Sequence, residues 1–260
     1  DRQRYDFGYG FQAQGHTLQL DVGRNETGDS GTPALPMDIQ YIDTDLYSAR
    51  YGYKDDSWTM DAKIYGSDID HGMSNYDLRE APAMAAMWRR NVASGDNLGF
   101  AVSGEWEDSL GAWKAGLDGH GESHDSDIDN PNNSAFFVVN FNDAKREVLG
   151  IFLERKQILG NHWLAELGLR YNRVEMDADT VNGTPAMMTL PGAALRDDFN
   201  SADRNKNDDN IDWVAKLYYS NNAAATWYLG AARKSRSASY QERYLWLPLE
   251  ATGGLADGRT

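Results

Sequence analysis

The stretch Trp163-Leu164-Ala165-Glu166-Leu167-Gly168-Leu169-Arg170-Tyr171-Asn172 decides the fold class. Trp163, Ala165, Leu167, Leu169 and Tyr171 fall on one side of an extended chain, and Glu166, Gly168, Arg170 and Asn172 fall on the other. Such period-two alternation marks a strand whose two faces meet different surroundings. The pattern repeats outward from here. Downstream, Ile211, Trp213, Ala215, Leu217 and Tyr219 alternate with Asp212, Val214, Lys216 and Tyr218. Upstream it returns in Tyr5 to Phe11, His16 to Val22, Trp58 to Ile64 and Leu98 to Trp106. Helical stripes are scarce, so the chain reads as all-β.

The connections carry the next inference. Short turns are expected at Ala13–Gly15, Lys54–Asp56, Ala93–Asp96, Leu159–Asn161 and Ser220–Asn222. Long polar stretches are expected at about Arg24 to Asp38, Asp68 to Pro82, Glu107 to Asn133 and Met176 to Asn210. Loops beyond about 12–15 residues are uncommon inside compact soluble domains. A short–long rhythm belongs to outer-membrane barrels, with tight turns at one rim and long loops at the other. Tyr5, Trp106, Trp163, Tyr171 and Tyr219 sit at the ends of the apolar face, as an interfacial girdle requires. The expectation is a segment of an antiparallel transmembrane β-barrel of about ten strands. Trp58, Leu98, Leu167, Leu169, Trp213 and Leu217 should face lipid. A soluble β-sandwich that binds carbohydrate is the alternative, since its strands alternate too.

Composition narrows the functions. The 260 residues hold 25 Lys+Arg against 40 Asp+Glu, a net charge of −15 that disfavours any nucleic-acid partner. Without cysteine there is no disulfide, thiolate metal site or cysteine nucleophile. No uncharged apolar run is long enough for a membrane-crossing helix. Aromatics at 12% exclude a disordered acidic polypeptide.

Several stretches resemble a known family. Gly168-Leu169-Arg170-Tyr171-Asn172-Arg173-Val174-Glu175 resembles a strand common to TonB-dependent outer-membrane receptors. Arg233 to Tyr244 resembles their "R-x-PS-x-x-ERY" segment, with Ala238 in the proline position. Leu245 to Asp257, and Asp70-His71-Gly72-Met73-Ser74-Asn75-Tyr76-Asp77-Leu78-Arg79, are similar to the copper-receptor subfamily. The resemblance implies a barrel of about 22 strands filled by an N-terminal plug. Residues 1–260 then form part of the barrel domain and no plug. It also implies the outer membrane of a Gram-negative bacterium, contact with lipid, and energy from the TonB complex acting on the missing plug. A receptor for a siderophore or other metal chelate is the alternative within this family.

His71 and Met73 are the candidate metal ligands. Imidazole nitrogen and thioether sulfur suit a copper ion, and positions i and i+2 share a side wherever the backbone is extended. Further donors would come from the plug. Met187 and Met188 are auxiliary candidates, whereas Met60 and Met84 read as filler. His120 and His124, with Asp125 nearby, could hold a divalent ion, but they lie in a Gly/Asp-rich run where a helix is not expected, and a solvated acidic loop is the preferred reading. Asp125 to Asp129 and Asp203 to Asn207 begin like calcium loops, but lack the sixth-position Gly and the twelfth-position Glu. No catalytic constellation is present, so an enzyme is not expected.

Overall fold

The computed structural model describes residues 1–222 and 225–247. Ten strands follow in chain order: β1 (Arg2–Ala13), β2 (His16–Thr27), β3 (Asp38–Lys54), β4 (Trp58–Ser74), β5 (Arg90–Asp108), β6 (Gly111–Asp129), β7 (Phe137–Ile158), β8 (Trp163–Asp177), β9 (Lys206–Asn222) and β10 (Ala225–Arg233). Each pairs antiparallel with the next, giving one sheet in the order β1 to β10. Helices α1 (Thr184–Met188) and α2 (Leu190–Ser201) join β8 to β9, and α3 (Tyr240–Tyr244) follows β10. Among the described residues no second sheet packs on this one and β1 does not pair with β10, so the arrangement is a partial barrel and not a sandwich.

In-register pairing sorts the side chains into two faces. One cross-strand row reads Phe11, Leu18, Tyr51, Ala62, Val102, Leu117, Ile151, Tyr171 and Ile211. The neighbouring row on the opposite face reads Gln12, Thr17, Gly52, Asp61, Ser103, Gly116, Phe152, Arg170 and Asp212. The six residues expected to face lipid all lie on the first, apolar face, and all stay exposed. A soluble protein would cover so large an apolar surface.

The height of this face fits a membrane. Trp58 opposes Trp106 at the short-turn end, and Asp68 opposes Asp96 ten residues further along each strand. At about 3.4 Å per residue and a tilt of about 40°, the belt between them is about 26 Å tall, close to the apolar band of outer-membrane barrels. Trp106 stacks on Trp113 at 6.4 Å and Trp163 lies 4.7 Å from Tyr219, continuing the aromatic edge. No helix among the described residues is long and apolar enough to cross a membrane.

On the polar face the long-loop ends of β6, β7 and β8 gather a compact core. Ile128, Val138, Phe141, Val174 and Met176 are buried there against Phe199 of α2 and against Tyr244, Leu245 and Trp246 after α3. Trp246 Nε1 donates to the Val139 carbonyl at 2.8 Å, so the chain after β10 folds back over this end of the sheet.

Three expectations fail in whole or in part. Ala93–Asp96 is no turn but the interior of β5, and Glu107 to Asn133 is no long loop but the Ser109-Leu110 turn followed by the whole of β6. The expected loop at Asp68 likewise begins with strand, since β4 runs to Ser74. The cause is physical. Above the belt the strands still pair, but both faces are polar, so the apolar alternation that betrays a strand is lost.

Candidate functional site

β4 carries the residues singled out for metal. Its pairing with β5 is unbroken to Ser74, while β3 carries an irregularity at Gln40 opposite Gly72 and Met73; the backbone at His71-Gly72-Met73 is extended and both side chains share the polar face. His71 lies opposite Ile42 and Ala93, and Met73 opposite Ile39 and Asn91. Gly72 points the other way, beneath the Tyr41 ring, where an added Cβ would come 2.2 Å from a ring carbon. The glycine between the donors is therefore there because Tyr41 lies flat across the strand.

The rest of the Asp70–Arg79 stretch builds the loop that follows. Ser74 is buried and donates to Asp77 at 2.7 Å, while Gln40 donates to the same carboxylate. Asn75 ties the loop shut by accepting from the Arg89 backbone at 2.8 Å and donating to the Met87 carbonyl at 3.1 Å. Tyr76 stacks on Trp88 at 4.7 Å. Arg79 grips Asp38 through two nitrogens, at 2.8 and 2.7 Å, and donates to the Leu35 carbonyl at 2.9 Å, pinning the β2–β3 loop to the β4–β5 loop. His71 is different. Its Nε2 is buried without a hydrogen-bond partner, the condition that natural proteins rarely leave unexplained.

The other candidates separate. Met187 and Met188 are 66% and 78% exposed on α1. His120 and His124 are not in a loop: both stand on β6, facing the same polar surface as His71. His120 Nε2 lies 3.4 Å from Arg146, which also pairs with Glu122 at 3.7 Å, so a cation already occupies its surroundings. His124 packs instead between Phe141 at 5.2 Å and Tyr240 at 4.9 Å. The sequence offered both histidines as loop residues and missed their strand, although Trp113, Ala115 and Leu117 begin a legible one just before. Among the described residues no three His, Cys, Asp or Glu side chains form a metal cluster by themselves.

Several charged residues on the polar face pair with one another. Arg170 bonds Asp118, Lys216 lies 3.7 Å from Glu166, and Tyr218 donates to Glu166 at 2.9 Å. They behave as a wetted wall.

The sequence matches the family described as "TonB dependent receptor-like, beta-barrel" over residues 1–258. The chain belongs to this TonB-dependent receptor β-barrel family. Its polar face is accordingly the lumenal wall and its apolar face the lipid surface. Among solved structures it is similar to the copper transporter OprC, at 15% identity and a TM-score of 0.75, covering 94% of this chain and 38% of that one. It is also similar to the alcaligin outer membrane receptor FauA from Bordetella pertussis, at 14% identity and a TM-score of 0.57, covering 88% and 34%. These likenesses show the fold. The chain thus spans about a third to two fifths of the receptors it resembles. No curated protein matches it. The copper-type stretch Leu245 to Asp257 lies, from residue 248 on, outside the described residues.

Proposed function

We propose that this chain is the barrel-wall portion of an outer-membrane receptor that imports copper in a Gram-negative bacterium. It is a transporter part and not an enzyme. The TonB complex drives it through a plug supplied by the rest of the receptor. One observation carries the choice of cargo. Within a motif where most polar residues have a structural partner, His71 keeps a buried, unpartnered Nε2 two residues from a thioether on the same lumenal side. Nitrogen and thioether donors together favour copper over hard, oxygen-seeking cations. Neither residue supports the loop, so neither is needed for assembly.

The test is a double substitution in the full-length receptor, His71→Ala with Met73→Ala. Copper per polypeptide, measured by elemental analysis of purified protein, is expected to fall well below that of the unaltered receptor while the barrel still assembles. Unchanged copper content would overturn the assignment and put the receptor for a siderophore or other metal chelate in its place.

A further inference from the structure

The lipid face is not evenly filled. On β6 its residues, from the short-turn side upward, are Ala115, Leu117, Gly119 and Gly121, whereas the flanking strands carry Phe100 and Leu98 on β5 and Leu149 on β7. Two hollows follow from this difference in size. The lower, of about 850 Å³, is lined by Gly104, Ala115 and Leu117, and the upper, of about 690 Å³, by Gly119 and Gly121. Leu117 and Gly119 are successive on this face, so the two hollows make one furrow along β6. From Ala115 to Gly121 it follows about 20 Å of strand, which at a tilt of about 40° is about 16 Å of depth. That is about half of a hydrocarbon core of about 30 Å. The furrow is as deep as the acyl chains of one leaflet reach.

The upper end of the furrow is charged. Glu147 stands opposite Gly121 on one side and Glu175 on the other, and Arg173 lies one outward position deeper on β8, opposite Leu149. Like charges directly across a strand pair repel. Glu175 is relieved by Arg173 at 2.7 Å, and the same guanidinium lies 3.7 Å from Asp209. Lys145, the next outward residue on β7, is engaged by Asp143 at 2.5 Å. Among the described residues Glu147 is therefore left without an ion-pair partner, at the level where the apolar belt meets water. Down the furrow the order is carboxylate, guanidinium, hydrocarbon. A phosphoethanolamine lipid has the matching order: ammonium outermost, phosphate beneath it, acyl chains below. A headgroup with phosphate alone would bring no cation to Glu147.

We propose that the furrow along β6 seats one phosphoethanolamine lipid, with an acyl chain over Gly119 and Gly121, its phosphate at Arg173 and its ammonium at Glu147. Only the lipid face is needed for this, not the choice of cargo. Full-length receptor in detergent is mixed with phosphatidylethanolamine or with phosphatidylglycerol of identical chains, and retained lipid is counted by native mass spectrometry. Three forms are compared: unaltered, Gly121→Leu and Glu147→Gln. Gly121→Leu fills the upper hollow, where an added Cβ meets nothing nearer than Glu147 Cγ at 3.7 Å. The unaltered receptor is expected to keep one phosphatidylethanolamine, preferred about two- to five-fold over phosphatidylglycerol, the worth of an exposed ion pair. Gly121→Leu should lose that lipid. Glu147→Gln should keep a lipid but hold the two kinds equally. Equal retention of both lipids by the unaltered receptor would overturn the proposal, as would an unchanged lipid count in Gly121→Leu or an unchanged preference in Glu147→Gln. Glu147→Gln alters an exposed side chain and not the furrow floor, so it decides the matter even where Gly121→Leu fails to assemble.

Discussion

Gly72 shows how one residue serves two faces. Its hydrogen side lies beneath Tyr41 on the lipid-side surface, while its neighbours His71 and Met73 point into the lumen. Gly72→Val would push a side chain into the Tyr41 ring, and overpacking of this kind costs about 1–3 kcal/mol. The urea midpoint of the folded receptor is therefore expected to fall while copper stoichiometry stays the same, because the donors lie on the other face. A loss of copper without a loss of stability would mean that the strand is not extended here. That His71 and Met73 share one side was legible in the sequence, because an extended backbone makes i and i+2 neighbours there. The strand that carries His124 was not, because nothing in Gly119-His120-Gly121-Glu122-Ser123-His124 alternates apolar with polar. The glycines that suggested a loop serve the sheet: Gly119 lies under the Phe100 ring, with 2.9 Å to an added Cβ. Burial of His71 Nε2 is a three-dimensional fact with no local signal.

At the scale of elements, the stretch after β10 is a clasp built from the motif that suggested the family. Ser239 caps α3 by accepting from the Glu242 backbone, and the Glu242 side chain accepts from the Ser239 backbone in return. Arg236 pairs with Glu242 at 2.6 Å, Arg243 with Asp208 at 3.1 Å, and the Tyr244 hydroxyl donates to the Arg204 carbonyl at 2.7 Å. The Arg236 guanidinium and the Ser239 N–H hold the Glu242 carboxyl well below its usual value, at about 2. A depressed carboxylate stabilises the folded form fully above its unfolded value of about 4.3 and loses that contribution as pH falls through the folded one. Docking of residues 234–247 should accordingly weaken between about pH 4 and pH 2, read as faster amide exchange in α3. Glu242→Gln should exchange faster at neutral pH and lose this acid dependence; a Gln variant with the same pH profile would disprove the clasp. The strands themselves were readable wherever one face is apolar, as in β8 and β9. The upper halves of β4, β5 and β6 were not. There the sheet is wet on both sides, and pairing continues through backbone hydrogen bonds that leave no mark on the side-chain pattern.

Across the whole molecule, the open sheet sets what this chain can do by itself. Every residue of β1 and of β10 is exposed, and among the described residues each of these strands has a partner strand on one side only, leaving its outer row of N–H and C=O groups without a strand partner. Water can satisfy those groups but lipid cannot, so an open edge is costly within a bilayer. The apolar belt poses the opposite problem, because Phe7, Ile64, Leu98, Leu169 and Leu229 are all exposed to whatever surrounds the sheet. No single solvent suits both features. Strands that continue the sheet on either side would pair the edges and leave the belt free to meet lipid. The 260-residue chain produced alone is therefore expected to aggregate in water, and to remain polydisperse in detergent until the rest of the barrel is supplied in trans. Size-exclusion chromatography with light scattering measures this directly. A detergent-free monomer of 29.1 kDa that unfolds cooperatively would refute the partial barrel, since it would require the belt to be buried against protein.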